Sequence, residues 1–234
     1  NNEVRLHWKK FRFDRPTVIG IYDVGLPSII MQSISSVMNF GMNKILIGFS
    51  ETAVSVLGVY FKLQSFVFMP GFGLTNALVP IVGYNYGARR KERILAAIKV
   101  CAVAMCCVMA LGTLLFQLFP GQLLALFSEG GDLGRIGRPA LRIISLSFLV
   151  AGVDIVFSSL FQAVGEGFLS LLMSAFRQLV LLLPVAWLLS LTGNLDAVWF
   201  SFCISEVCSL ALATFFFHRT YKNKILRLEI IEFK

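Results

Sequence analysis

The 234-residue sequence is 57% hydrophobic and only 15% charged, whereas a soluble domain is about 45–50% apolar and about a quarter charged. This composition excludes an ordinary soluble fold, because the apolar runs of about 20 residues match the length of helix that crosses a bilayer. The net charge of +8 lies in short polar stretches beside those runs, so it indicates membrane topology rather than a nucleic acid partner.

Six hydrophobic segments predict an all-α integral membrane protein, a bundle of six transmembrane helices, because a helix satisfies its own backbone groups in lipid. The chain opens without Met, and we expect it to start partway into a longer protein. A basic stretch, residues 1–16, precedes a membrane lobe of residues 17–218, and a basic tail follows at 219–234. The spans are predicted at residues 18–49, 54–82, 94–119, 140–164, 168–191 and 197–217.

Polar residues follow one face of the first span. They recur at steps of four, three and four residues, which places them on the same side of a helix. The four residues are Gln32, Ser36, Asn39 and Asn43. Such a stripe either bonds neighbouring helices together or lines a cavity, and the spacing favours neither interpretation.

The second span carries Lys62 in its outer part, with Gln64 beside it. A lysine at that depth either extends its ammonium group to the interface or faces a cavity. Both residues are therefore secondary candidates for a binding site.

The same span ends in a stretch rich in glycine and proline, residues that bend a membrane helix or let a neighbour approach closely. We expect the final glycine of this stretch to suit a helix C-terminus. The candidate bending residues are Pro70, Gly73, Pro80, Gly83, Asn85 and Gly87.

Asp154 is the only acid in the fourth span and is the strongest single candidate for a cation site. Ser158 and Gln162 follow it on the same face. About ten residues, or about 15 Å, separate Asp154 from the cytoplasmic end, which places it at the bilayer midplane. A carboxyl there can exchange a proton for a cationic substrate or Na⁺, and the alternative is a neutral acid bonded to a carbonyl.

The fifth span contains Arg177 and the sixth contains Glu206, each also about ten residues from the cytoplasmic side. An unpaired charge at that depth would be unfavourable by several kcal/mol. We therefore predict a buried ion pair between them, direct or through water, with a structural role favoured over a role in transport.

No pattern in the sequence indicates an enzyme, a metal site or a cofactor other than a coupling ion. His7 and His218 lie outside the spans, and no two of the five cysteines have a CxxC spacing. No span carries a nucleophile and base at a useful spacing.

Lys and Arg near the span ends predict the orientation of the chain. They concentrate in residues 1–16, in the run Arg89–Arg93 and in the tail at 219–234, all on one side. The positive-inside rule assigns that side to the cytoplasm, so both termini are expected there, in the plasma (inner) membrane.

The stretch Pro70–Ala77 followed by Pro80–Arg90 resembles the hallmark of the multidrug and toxic compound extrusion (MATE) family. Gly25–Ser28 is similar to the family's opening of the same lobe, and Gln162–Gly165 resembles its turn after the tenth helix. The resemblance implies that the chain is the second of two six-helix lobes, that the first lobe is a missing partner, and that residues 1–16 link the two.

The resemblance also implies export of cationic compounds in exchange for H⁺ or Na⁺ by alternating access. In some branches a glutamate on helix seven and an aspartate on helix ten bind the coupling cation. Here the helix-seven position falls near Ser35, and Asp154 is displaced by about one turn from the usual acid. The resemblance therefore leaves two alternatives: the coupling ion binds in this lobe, or it binds in the missing one.

Two other functions fit the same architecture. A lipid-linked polysaccharide flippase or related exporter would have a more basic central cavity. A membrane scaffold or an inactive, truncated half-transporter would need no shared site at all.

Overall fold

The computed structural model describes residues 14–127 and 131–226, and within these ranges every regular element is helical. The helices are α1 (Arg15–Ile47), α2 (Glu51–Gly87), α3 (Lys91–Leu118), α4 (Pro120–Ala125), α5 (Gly131–Ser145), α6 (Phe148–Ala163), α7 (Gly167–Ala175), a π-helical segment (Phe176–Leu182), α8 (Leu183–Ser190), α9 (Leu195–Thr220) and a C-terminal π turn (Tyr221–Ile225). Residues 1–13 of the predicted basic stretch and residues 227–234 of the predicted tail lie outside the described ranges.

The described helices fit a membrane bundle. Four are long and apolar enough to cross a bilayer: α2, α3, the continuous stretch Gly167–Ser190 and the stretch Leu195–Ile225. The bent pair α5–α6 makes a fifth. The predicted all-α membrane fold is confirmed, while six spans remain a prediction that depends on α1, a helix of 33 residues that would be about 50 Å long.

Side-chain caps fix where three of the long helices begin. The Asp14 carboxylate accepts the Thr17 N–H at 3.3 Å, the Ser50 hydroxyl accepts the Ala53 N–H at 3.1 Å, and the Asn194 carbonyl accepts the Asp196 N–H at 2.9 Å. Each bond satisfies a donor that the first helical turn leaves without a partner. These caps start α1, α2 and α9.

α2 runs unbroken through both prolines to Gly87, five residues beyond the predicted end of its span. Gly87 is the last residue of α2, which agrees with the expected helix C-terminus, and the left-handed residue that follows is Arg89, with φ of 58°. The close approach of α2 to α3 occurs at Gly71, which belongs to the predicted glycine- and proline-rich stretch. A Cβ on Gly71 would lie 2.8 Å from Met105 Sδ, whereas one on Gly73 would have no atom of the described part of the chain within 4 Å.

The predicted fourth span is broken in the structure, since α5 and α6 meet at an angle of 49°. Polar side chains from other helices satisfy the backbone at this break. Thr113 donates to the Ser145 carbonyl at 3.1 Å, Gln117 to the Arg142 carbonyl at 2.7 Å and Cys203 to the Ile143 carbonyl at 3.2 Å. A membrane helix tolerates a bend where neighbours satisfy its exposed carbonyls in this way.

The fifth span changes to π-helical geometry at Phe176–Leu182 before it continues as α8. Pro184 lies two residues after this segment, and it has no N–H to donate to the Val180 carbonyl. A wider turn before the proline accommodates that missing bond, and such π segments are frequent at functional sites. The segment carries Arg177.

Candidate functional site

Three charged side chains from three different elements meet inside the bundle. Arg177 Nη1 lies 3.4 Å from each Glu206 carboxylate oxygen and 3.5 Å from Asp154 Oδ2. The side chains are 21%, 15% and 7% exposed, respectively. We call Asp154, Arg177 and Glu206 the charged triad.

α6, the π-helical segment and α9 each contribute one member of the charged triad. Ser209 of α9 donates to Asp154 Oδ2 at 3.0 Å, and it lies one turn after Glu206. The other oxygen, Asp154 Oδ1, is buried and has no hydrogen-bond partner among the described residues. The structure therefore places Asp154 against an arginine and a serine, not against a backbone carbonyl.

The triad has one more acid than base. With both carboxyls ionised it carries a net charge of minus one in a buried environment, which is unfavourable without a further positive charge. The triad can hold one proton or one monovalent cation. Asp154 Oδ1 is the oxygen available to bind it, because no hydrogen-bond donor among the described residues occupies that oxygen.

A cavity of about 300 Å³ lies on one side of the triad and contains Arg177 and Glu206. We call it the aromatic cavity, since its apolar lining includes Tyr60, Phe61, Phe68, Phe72 and Phe202. Its polar lining includes Ser35, Asn39, Gln64, Ser65, Ser147, Gln178 and Ser205. Apolar walls with a few polar groups are typical of sites for small molecules.

A second cavity of about 230 Å³ lies on the other side and contains Arg177 and Asp154. We call it the polar cavity, because Thr75, Asn76, Ser158, Ser159, Gln162 and Ser174 also line it. Ser158 and Ser170 share a hydrogen bond, and Gln162 donates to Ser170 at 3.1 Å. Arg177 thus borders both cavities and separates the two acids.

The predicted stripe on the first span divides in the structure. Asn39 lines the aromatic cavity, while Ser36 and Asn43 are exposed and line neither cavity. The side chain of Gln32 lies outside the described residues. Ser35, which the stripe left out, lines the aromatic cavity instead.

The two secondary candidates on α2, Lys62 and Gln64, have different surroundings in the structure. Gln64 lines the aromatic cavity, whereas Lys62 is exposed and its Nζ lies 5.7 Å from the ring centroid of Phe127. This contact agrees with an ammonium group that extends outward along an aromatic ring.

The glycine- and proline-rich residues of α2 do not enter the triad. Asn85 is buried and donates to the Ile81 carbonyl at 2.8 Å. A Cβ on Gly83 would lie 3.5 Å from the Ala163 carbonyl, so α2 passes close to the end of α6 there. No atom of the described residues lies within 4 Å of a Cβ on Gly87, and Pro70 and Pro80 lie inside the helix.

Sequence reasoning did not include Ser209 in the site, and it reached Ser35 only through the family resemblance, which puts the helix-seven position near it. Ser209 lies three residues after Glu206, so the face of α9 that carries the acid could have identified it. Ser35 had no periodic signal. Among the described residues, no group of three or more His, Cys, Asp or Glu side chains is placed to hold a metal ion.

The family model MatE matches residues 27–188 of the chain. Among curated proteins, the multidrug export protein MepA of Staphylococcus saprophyticus is 27% identical over 201 residues. That match covers 84% of this chain and 44% of the relative, so the chain spans about half the length of the curated relatives it matches.

Two solved structures of a multidrug resistance MATE family transporter of the MOP superfamily match the fold. The inward-facing conformation has a TM-score of 0.82 and the outward-facing one 0.83, each at 24% identity. They cover 95% and 97% of this chain, and 51% and 50% of the matched chains. The helices described above therefore have the arrangement of one half of such a structure.

Proposed function

Because this chain belongs to the MatE family, we propose that it forms one lobe of a multidrug efflux transporter that exports cationic compounds in exchange for H⁺ or Na⁺. Its partner is a second six-helix lobe, the missing N-terminal half. The observation that carries the proposal is the charged triad at the boundary of two cavities.

The coupling step follows from the charge of the triad. In the absence of substrate, one proton or one Na⁺ neutralises the extra carboxylate at Asp154. A cationic substrate that enters the aromatic cavity brings a positive charge to Glu206 and competes with Arg177 for it. Arg177 then pairs with Asp154, from 3.5 Å away, and the coupling cation is released.

The aromatic cavity supports cationic, aromatic substrates. Its five aromatic side chains offer ring faces, and Glu206 offers a carboxylate at one wall. A cation near such rings is attracted by their electron-rich faces, by about 0.5–1 kcal/mol at exposed sites and more when water is excluded. Asn39 and Gln64 add neutral hydrogen-bonding groups.

Alternating access is supported by the likeness to both conformations of the solved transporter. A lobe that resembles half of an inward-facing and half of an outward-facing structure about equally well changes little itself. The transport motion is then a rotation of one lobe against the other, which exposes the aromatic cavity to each side in turn.

The apolar helices and the relatives identify a multi-pass membrane protein. For its orientation, we rely on Arg89–Arg93 and the basic ends of the chain, which place both termini in the cytoplasm under the positive-inside rule. The plasma membrane is the corresponding location.

Ethidium efflux from cells that carry the transporter tests the proposal. Asp154→Asn and Glu206→Gln are each expected to lose efflux driven by the coupling gradient, imposed as H⁺ or as Na⁺ in separate runs. Asp196→Asn is the matched control, because Asp196 is an exposed acid in the first turn of α9. Efflux by Asp154→Asn equal to that of the unmodified transporter under both gradients would contradict the proposal.

A lipid-linked polysaccharide flippase is less well supported. Such a protein would need a basic cavity for an anionic carrier, yet each cavity here combines Arg177 with an acid. An inactive half-transporter would have no reason to retain a buried charge imbalance. The ethidium experiment separates both alternatives from the antiporter.

A further inference from the structure

A second group of charged residues lies where α9 ends. Glu166 in the turn between α6 and α7 accepts a hydrogen bond from Thr220 Oγ1 at 2.6 Å and pairs with Lys224 Nζ at 3.3 Å. Lys224 also donates to the Val164 carbonyl at 3.1 Å. We call Glu166, Thr220 and Lys224 the terminal clamp, because they join the α6–α7 turn to the end of α9.

A cavity of about 420 Å³ opens beside the terminal clamp, and we call it the interfacial cavity. Arg219 and Asn223 form one part of its wall, while Phe168, Leu169 and Phe216 form an apolar part. The clamp holds the two walls together. The space is therefore shaped before any ligand enters.

The electrostatics of the interfacial cavity favour an anion. Both carboxylate oxygens of Glu166 are engaged, one by Lys224 and the other by Thr220, so its negative charge is neutralised. Arg219 is exposed and makes no ion pair with any residue in the described ranges. The remaining cation on the wall is thus Arg219, with the Asn223 amide beside it as a neutral donor.

The location of this cavity is the edge of the apolar part of the bundle. The apolar run of α9 ends in Phe215, Phe216 and Phe217, and the next residues, His218, Arg219 and Thr220, are polar. Phe168 is 73% exposed and Phe215 is 64% exposed, as expected for apolar side chains that face lipid rather than water. A molecule in this cavity meets a guanidinium group on one side and lipid on the other.

We propose that the interfacial cavity binds an anionic phospholipid. Its phosphate is held by Arg219 and Asn223, and its acyl chain lies against Phe168 and Phe216. The amphipathic lining selects a lipid over a free anion, because a free phosphate would leave the apolar wall in water. This site is separate from the charged triad and does not depend on the transport chemistry.

Lipid-dependent thermal stability of the detergent-purified protein tests the site. Phosphatidylglycerol, phosphatidylcholine and inorganic phosphate are each titrated into separate samples. We expect phosphatidylglycerol to bind at least about fivefold more tightly than phosphatidylcholine, as one Arg near an anionic headgroup implies. Equal affinity for the two lipids, or equal stabilisation by phosphate alone, would overturn the proposal.

Three variants locate the site. Arg219→Gln should lose the preference for phosphatidylglycerol, and Arg219→Lys should keep most of it because the charge remains. Lys222→Gln is the matched control, since Lys222 is a basic, exposed neighbour that does not line the cavity. If Lys222→Gln loses the preference as much as Arg219→Gln does, the effect is general surface charge and the site is refuted. Equal affinity of the unmodified protein for the two lipids refutes the proposal even if a variant fails to fold.

Discussion

The charged triad and the terminal clamp use the same chemistry in opposite ways. In the triad, Arg177 serves two carboxylates, and Asp154 Oδ1 has no partner among the described residues. In the clamp, Lys224 serves one carboxylate, and both oxygens of Glu166 are engaged. The triad lies inside the bundle, and the clamp lies where the apolar part of α9 ends.

The comparison separates a charged group that can bind a further cation from one that only joins two parts of the chain. A pair of equal and opposite charges near the membrane boundary is already neutral and hydrogen-bonded, so it contributes to structure and little else. An unbalanced group in a buried position is unfavourable until a further cation arrives, which makes it responsive to the proton or ion that supplies the charge. Three substitutions test this distinction, beginning with the one of largest expected effect.

Arg177→Met should be the most destabilising of them, by about 3–5 kcal/mol, because it leaves two buried carboxylates without a cation. The measurement is the shift in the thermal unfolding midpoint in detergent. The double variant Arg177→Met/Glu206→Gln should recover a substantial part of the loss, since one of the two orphaned charges is then gone.

Arg135→Met is the control, because the Arg135–Asp132 pair is largely exposed, at 79% and 76% of the two side chains. If Arg177→Met shifted the midpoint no more than Arg135→Met does, the triad would not be a buried charge group at all.

The helices of this fold could be predicted from the sequence, because a chain that crosses lipid has few alternatives to a helix. The break between α5 and α6 could not. Its exposed carbonyls are satisfied by Thr113 and Gln117 of α3 and by Cys203 of α9, and no local pattern in the fourth span contains that information. The end of α2 was also misplaced, because Gly83 continues a helix that Arg89 terminates.

The depth of the site could be predicted from the sequence, and so could the shared face of Asp154, Ser158 and Gln162, but the face of α1 that lines the aromatic cavity could not. Equal distances from the membrane boundary placed Arg177 and Glu206 at one level, and the structure places them 3.4 Å apart. The same argument gives Asp154 that depth, yet its direction around α6 depends on the bend at Ser147. For α1, adjacent residues point about 100° apart, so Ser35 rather than Ser36 faces the aromatic cavity.

Ser209→Ala sharpens the comparison within the triad. The loss of this hydrogen bond to a buried carboxyl oxygen is expected to reduce stability by about 1–3 kcal/mol, since Asp154 Oδ2 then relies on Arg177 alone. A double-mutant cycle with Asp154→Asn should show less than additive effects. Ser201→Ala is the control, because the Ser201 hydroxyl donates to the Val198 carbonyl of its own helix and has no bond to another helix within the described ranges. Full additivity in the cycle would contradict a contact between Ser209 and Asp154.

Glu166→Gln should have the smallest effect of the three and should leave transport intact. Its side chain is 26% exposed and that of Lys224 is 31% exposed, so water screens the pair and its loss is expected to reduce stability by only about 0.2–1 kcal/mol. The glutamine can still accept the Thr220 hydroxyl, which preserves half of the clamp. The measurements are the unfolding midpoint and ethidium efflux, each beside Glu206→Gln. Loss of efflux in Glu166→Gln with an unchanged midpoint would place the clamp in the transport cycle and remove the distinction between the two charge groups.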